Sequence, residues 1–250
     1  FNSLSFENLV KNAWDIRIEN FGLNIDWVNP IRTGIISVTG SFCSLNCSHC
    51  GGKYIKHMLP IGRRDELNLS EISSCLISGG CDSSGKVPVE KHIHIISELS
   101  SKLRINMHLG LTSEKIVKDI APFCDAVSFD FLVDEKTIKD VYRFSARGND
   151  FCNTYSMLRK YVNVIPHICI GLHKGYISGE LEALYSLAKI GADAIVFIVF
   201  IPTAGTFYET CMPPPINDVI RIIATARCIF PKTPIYLGCM RPHGMYRKVL

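Results

Sequence analysis

Three cysteines within eight residues, Cys43-Ser-Leu-Asn-Cys47-Ser-His-Cys50, constrain this chain more than any other stretch of it. A short loop with CxxxCxxC spacing can bind three irons of a cubane and leave the fourth iron open to a small molecule, because thiolates are the usual ligands of iron–sulfur clusters. Two other uses of such a triplet are a structural disulfide and a zinc knot. Zinc would want a fourth nearby ligand, for which His49 or His57 is at hand. The triplet directly follows Gly34-Ile-Ile-Ser-Val-Thr-Gly40, which reads as a short strand ending in a turn.

The rest of the chain repeats that strand-then-loop plan. Short apolar runs near 34–39, 75–79, 104–109, 125–131, 162–170, 194–201 and 234–239 read as buried strands. Between them, Val89–Ser101, Ser113–Ile120, Glu180–Ile190 and Ile216–Phe230 place apolar residues at helical spacing. Strand and helix in alternation imply a parallel sheet wound right-handed, with ligand sites beyond the carboxyl ends of the strands. About six such repeats fit a partial (β/α)6 barrel better than an eight-unit barrel. Residues 1–33 are expected to form an N-terminal helical extension, its helix within Leu4–Val28 capping the barrel; residues 34–250 form the barrel itself.

Composition narrows the function classes. At 250 residues, 47% hydrophobic and 20% charged, the chain is long enough for one large α/β core. A net charge of +4 without a basic stripe gives no argument for nucleic acid, though it would suit an acidic protein partner. The longest apolar run, Ala194–Ile201, is strand length and far short of the ~20 residues of a membrane helix. No secretory signal is read, so the eleven cysteines are expected to bind metal in a reducing cytoplasm rather than form a disulfide framework. Several of the eight outside the triplet must be ordinary core residues; Cys75, Cys124, Cys152 and Cys228 are read as such.

Further candidate groups gather at strand ends. Ile77-Ser78-Gly79-Gly80-Cys81-Asp82 closes the second strand, and its glycines would let backbone approach a ligand or simply make a tight turn. Asp130 ends the fourth strand, as a ribose ligand or as a helix cap. Pro202–Pro215 closes the sixth strand and contains Cys211, and Leu237-Gly-Cys239-Met-Arg241 follows the last. His108 and His173 lie near strand ends without an assignable role. Arg143 and Arg147 have the guanidinium geometry that suits a carboxylate.

The cysteine spacing and its place after the first strand resemble the radical S-adenosylmethionine (SAM) superfamily. The Gly-Thr-Phe-Tyr loop at 205–208, the helix ending near Phe230-Pro-Lys and the Ile235-Tyr-Leu-Gly-Cys-Met-Arg241 strand resemble the biotin synthase-like group. Ser78-Gly-Gly-Cys-Asp-Ser-Ser-Gly-Lys-Val-Pro88, Cys47-Ser-His-Cys-Gly-Gly-Lys-Tyr54 and Gly238-Cys-Met-Arg-Pro242 are most similar to the two-protein lipoyl synthases, with the match spanning most of 34–247.

This resemblance implies a SAM-binding 4Fe-4S cluster on Cys43, Cys47 and Cys50, with SAM held by His49, Ser78, Gly79, Gly80, Asp130 and Arg143. His49 would stack on the adenine, and Cys81 stands where a glutamate is usual. The resemblance also implies an auxiliary iron–sulfur cluster across the substrate as sulfur donor. Its candidate ligands are Cys81 and Cys239 first, then Cys211, Cys169 and Arg241. Asn106-Met-His108 stands where biotin synthase has a further cysteine, which counts against biotin synthase itself. The implied activity is sulfur insertion into an octanoyl chain on a lysine of a lipoyl-carrier protein or peptide. The implied partners are a homologous second lipoyl synthase subunit and an electron donor such as ferredoxin. Other biotin synthase-like reactions (rearrangement, methylation, metallocofactor assembly) and a non-catalytic electron-transfer module are the alternatives.

Overall fold

A computed structural model of the chain describes residues 5–250; residues 1–4, including the first residue of the expected helical segment, lie outside the described residues. Eight strands run parallel: β1 (Thr33–Ser37), β2 (Leu59–Pro60), β3 (Ser74–Ser78), β4 (Arg104–His108), β5 (Ala126–Asp130), β6 (Val164–Ile170), β7 (Ile195–Val199) and β8 (Ile235–Leu237). They form one sheet in the order β2-β1-β3-β4-β5-β6-β7-β8, with β2 and β8 as its two free edges. Six strands of five to seven residues make the wall and two of two or three residues flank it. This is the expected partial (β/α)6 barrel, with one strand more than the sequence reading. Leu59–Pro60 pairs only as Ile36↔Leu59 and Ser37↔Pro60, and two residues are too few to show alternation.

Alternation along the strands sorts the side chains into two environments. On β4, β6 and β7 the odd-numbered Ile105 and Met107, even-numbered Ile168 and Ile170, and odd-numbered Phe197 and Val199 are buried to 2% exposure or less. They face the outer helices α2 (Ile93–Ser100), α3 (Glu114–Ile120), α5 (Gly148–Leu158), α6 (Glu180–Ile190) and α7 (Ile216–Ile229). The alternate residues, Asn106, His108, Ile165, His167, Cys169, Val196 and Ile198, are only part-buried and line the lumen. A short α4 (Glu135–Thr137) runs into a π-helical turn, Ile138–Tyr142, and α8 (Met245–Val249) lies near the C-terminus.

The N-terminal extension differs from its expectation in length and place. Its helix α1 (Phe6–Phe21) stops at Gly22, whose φ of 64° and N–H bond to the Ile18 carbonyl end the helix well before Val28. The helix does not cap the lumen. Leu9 and Ala13 pack against Ala224 of α7, so α1 forms a second layer outside the barrel wall.

Candidate active site

The cysteine loop leaves β1 at Ser37 and is tied down on both flanks. On one side, the Gly80 N–H donates to Thr39 Oγ1 at 2.7 Å, Thr39 Oγ1 donates to the Phe42 carbonyl at 2.9 Å, and the Ser44 N–H donates to the Cys81 carbonyl at 2.8 Å. On the other, buried Ser48 donates its N–H to the Val141 carbonyl (2.7 Å) and its hydroxyl to the Asp140 carbonyl (2.8 Å). The Ser48 carbonyl in turn accepts from the Tyr208 N–H at 3.1 Å. The loop is thereby held between β3, the π-helical turn and the segment after β7. Within it, the Cys50 and Gly51 N–H groups both bond back to the Cys47 carbonyl. Gly51 and Gly52 take φ of 52° and 68°, a left-handed pair that turns the chain immediately after Cys50.

The donor set matches a metal centre. Cys47 and Cys50 sulfurs and a His49 ring nitrogen lie within 4.8 Å of one another, the one such group of three ligand atoms among the described residues. Cys47 hydrogen-bonds to Cys50, which pulls the Cys50 thiol down to about 4; burial opposes this, and His49 also favours the thiolate. The Cys47 thiol is pushed far up by that same bond, then by burial and by the thiolate charges of Cys50, Cys43 and Cys81. A ready thiolate next to a protonated thiol is what thiolate ligation requires, since cluster binding displaces the remaining proton. Cys43 stands beside the trio. His57, offered from sequence as a zinc ligand, is exposed on the 3₁₀ turn Tyr54–His57 and outside the group, whereas His49 is within it, its Nδ1 buried without a hydrogen-bond partner.

The glycines after β3 have a packing role that the sequence did not show. A Cβ on Gly80 would lie 2.0 Å from the Phe42 carbonyl oxygen and 2.6 Å from Cys43 Cα, and one on Gly79 would press on Thr39 and Val38. Both glycines therefore make room for the cysteine loop itself. Ser78 is buried at the end of β3, its carbonyl accepting from the Val38 N–H at 2.8 Å. Arg143 lies outside any helix, in the left-handed region at φ 60°, with its guanidinium 4.6 Å above the Phe207 ring. Arg147 is the N-cap of α5, its N–H donating to Asp150. His49 sits 5.8 Å from the Tyr142 ring and 6.4 Å from that of Tyr54, in an aromatic bracket beside the cysteines. Asp130 opens into the mouth of the lumen.

The cysteines proposed for a second centre are scattered. Cys81 adjoins the first one: its carbonyl binds Ser44, and the Cys43 charge adds to the burial that raises its thiol to about 12. The expectation that Cys81 stands across the substrate from the SAM cluster is corrected by that contact. Cys239 is exposed: the Gly238 N–H still bonds to the Phe197 carbonyl, but the Val199 N–H skips ahead to the Met240 carbonyl and leaves Cys239 out of the ladder. Arg241 donates Nη1 to the Gly238 carbonyl at 2.8 Å and leaves its buried Nε unpaired. Cys169, on the lumen face of β6, and Cys211 pack against one small cluster of Val141, Leu172, Phe200 and Tyr208. Cys81 does not pack against that cluster.

Several site residues escaped the sequence reading. Tyr142 closes the π-helical turn with its phenol raised well above its ordinary value by burial, and by the charges of Asp130, Cys47, Cys169 and Cys50. A group that feels all four stands between the cysteine loop and the lumen. On the lumen wall Asn106 pairs with Ser128 (3.0 Å), and His108 meets His167 edge-on with ring centroids 5.7 Å apart. Alternation from Cys169 would have put His167 on the same face; the pairing with His108, two strands away, depends on register. His173 belongs elsewhere, buried against Thr137 and 3.7 Å from Asp140.

No family model matches the chain. It is similar to curated biotin synthases. That of Ruthia magnifica is 22% identical over 254 residues, covering 96% of this chain and 77% of the relative, and that of Vesicomyosocius okutanii is 23% identical over the same shares. Among solved structures, methylornithine synthase (PylB) superposes with a TM-score of 0.67 at 15% identity, covering 97% of this chain and 81% of its own. HydG, a maturase of the [FeFe]-hydrogenase, gives 0.71 at 15% identity over 97% and 58%. Streptococcus suis SuiB bound to S-adenosylmethionine gives 0.63 at 12% identity over 97% and 63%. The chain has the radical SAM fold. Within that fold the cysteine loop follows the first strand at the carboxyl-end rim, where the lumen opens. No helix among the described residues is long and apolar enough to cross a membrane.

Proposed function

We propose that this chain is a radical SAM enzyme that inserts sulfur into a protein- or peptide-bound octanoyl-lysine, as one subunit of a two-component lipoyl synthase. The observation that carries the radical SAM part is the Cys43–Cys50 loop, pinned by Gly80 and Ser48 at the rim of a (β/α)6 lumen. The sulfur-insertion part rests on the similarity to biotin synthases and on the motifs at 47–54, 78–88 and 238–242.

Cys43, Cys47 and Cys50 would hold a 4Fe-4S cluster, which with SAM bound and an electron from a donor such as ferredoxin supplies a 5'-deoxyadenosyl radical. The chain's own part is positional. Ser48 and Thr39 fix the loop, and the Tyr142 and Tyr54 rings flank His49. Cys169, on the lumen face beside Tyr142, is the favoured ligand for an auxiliary cluster supplying sulfur, with Cys211, which packs against the same apolar cluster, second.

The test is to incubate the reduced, reconstituted chain with its homologous partner, SAM and an octanoyl-lysyl peptide or octanoylated lipoyl-carrier domain, then weigh the product. A gain of one or two sulfurs supports the reading. SAM cleavage with no sulfur entering any octanoyl substrate favours a second reading, another biotin synthase-like reaction, which the likeness to methylornithine synthase and the scatter of Cys81 and Cys239 support.

A further inference from the structure

Between α1 and β1 the chain runs bare. Residues 22–32 are all exposed, and among them Leu23, Ile25, Trp27, Val28 and Ile31 are each 74–82% exposed. Single apolar side chains are ordinary on a surface, but five on one stretch that is exposed along its whole length mark a face that something else covers. The arm is nevertheless held at both ends. At one, the Arg17 guanidinium donates to the carbonyls of Gly22 and Asn24. At the other, Pro30–Arg32 makes a 3₁₀ turn and Arg32 Nε donates to the Glu71 carbonyl at 3.3 Å. Residues 24–29 between them form neither helix nor turn, and Asn29 has extended angles (φ −115°, ψ 110°). Residues 24–28 make no backbone–backbone hydrogen bond among the described residues. The two carbonyls that Arg17 takes are two residues apart and lie on one edge of the segment, which leaves the N–H and C=O groups of Ile25 and Trp27 on the other.

We propose that this arm pairs with the same arm of a second copy of the chain, antiparallel and centred on Ile25. The sequence is self-complementary about that residue: Ile25 meets Ile25, Leu23 meets Trp27, and Asn24 meets Asp26, so that no two like charges face each other. A two-fold interface demands such a match, because one patch serves both sides. That match to itself is why the occupant is a copy of this chain rather than a different subunit. The register also brings the partner's Trp27 to the base of the arm. There an apolar groove of about 380 Å³ opens between α1, α7 and β8, lined by Trp14, Arg17, Ile223, Tyr236 and Leu237.

The area suffices for a stable pair. An aromatic side chain buries about 150–250 Å² and each of the four aliphatic residues less, so the five offer on the order of 700 Å² per copy, near the ~800 Å² per partner of a stable interface. The arm enters β1 at its amino end, whereas the cysteine loop leaves from the carboxyl end. Pairing therefore leaves both lumen mouths open, and the inference stands apart from the reaction proposed above.

The experiment is sedimentation velocity of the anaerobically reconstituted full chain over about 1–100 µM. A dimer is expected. Ile25→Asp sets two carboxylates face to face at the centre and should weaken the dimer about a hundredfold or more, with iron content and SAM cleavage unchanged. Ile25→Lys alone should do the same, and an equimolar mixture of the two variants should recover the dimer, as contact of residue 25 with residue 25 requires. Tyr185→Asp, at an exposed position on α6, should change nothing. In Trp14→Phe, Trp27 is the one remaining tryptophan, and its emission should shift to the blue as the dimer forms. A wild-type chain that is monomeric throughout that range, a dimer indifferent to Ile25→Asp, or a mixture that stays monomeric would overturn the proposal. So would association with the homologous second subunit but not with itself, which would give the arm to that partner. Should the Ile25 variants lose iron through misfolding, the Trp27 emission of Trp14→Phe decides: no change with concentration across the dimer's range would overturn the proposal.

Discussion

The loop after β1 and the segment after β8 both carry a cysteine-bearing turn at a strand end, yet they are built differently. Residues 39–50 are fixed by hydrogen bonds to β3, to the π-helical turn and to the segment after β7, and Cys47 is 5% exposed. Residues 238–241 leave a three-residue edge strand, and Cys239 sits exposed on an excursion from the ladder. A cysteine at a strand end is thus a ligand in waiting only where neighbours over-determine its position. β1 has a strand on each side to supply those neighbours and β8 has one.

The sharpest way to break the comparison is iron content. Replacing Cys43, Cys47 and Cys50 together by alanine should remove nearly all iron of the SAM-binding cluster, while Cys239→Ala should leave that cluster's iron essentially unchanged. Equal losses measured by iron assay and absorbance would erase the distinction. Next come two glycines. Gly80→Ala drives a Cβ into backbone, where nothing can yield, and should cost about 3 kcal/mol or more together with most of the cluster. Gly238→Ala meets the Ile198 Cγ2 methyl at 2.8 Å, a side-chain end that can shift, and should cost about 1 kcal/mol. Denaturant melts of the two variants compare them directly.

A pH-dependent effect separates the lumen wall from both segments. Burial lowers His167 to about 4, with His108 adding to the shift and Asp130 opposing it. Because the folded value lies below the ordinary 6.5, protons bind the unfolded chain first. Stability should hold above about pH 6.5 and fall as pH drops toward 4, by up to about 3 kcal/mol from this group. His167→Gln should flatten that slope in melts at a series of pH values. Smallest is Ser48→Ala, which removes one hydroxyl bond to the Asp140 carbonyl and should cost about 1 kcal/mol, with somewhat faster loss of iron on chelation. No effect there would mean that the two backbone bonds of Ser48 fix the loop without it.

What the sequence determined by itself was local. Apolar runs separated by helical spacing placed every strand but Leu59–Pro60, and Glu180–Ile190 was read to its ends, because core burial writes itself into period 2 and period 3.6. The cysteine triplet likewise pointed to a metal site, since Cys47, His49 and Cys50 lie within four residues and come together locally. Where a site is assembled from several strands, the sequence ran out. Cys81 and Cys239 looked equivalent as strand-end cysteines until packing set Cys81 beside the cysteine loop and left Cys239 exposed, and the seat of Gly80 against Cys43 was not legible at all. The π-helical turn and left-handed φ that lay Arg143 on Phe207 were not legible in the sequence. His108 and His167 are 59 positions apart and become neighbours only through the register of β4, β5 and β6. Only the tertiary structure decided these, because register and lumen facing come from the closure of the whole sheet, and no local run of residues encodes that.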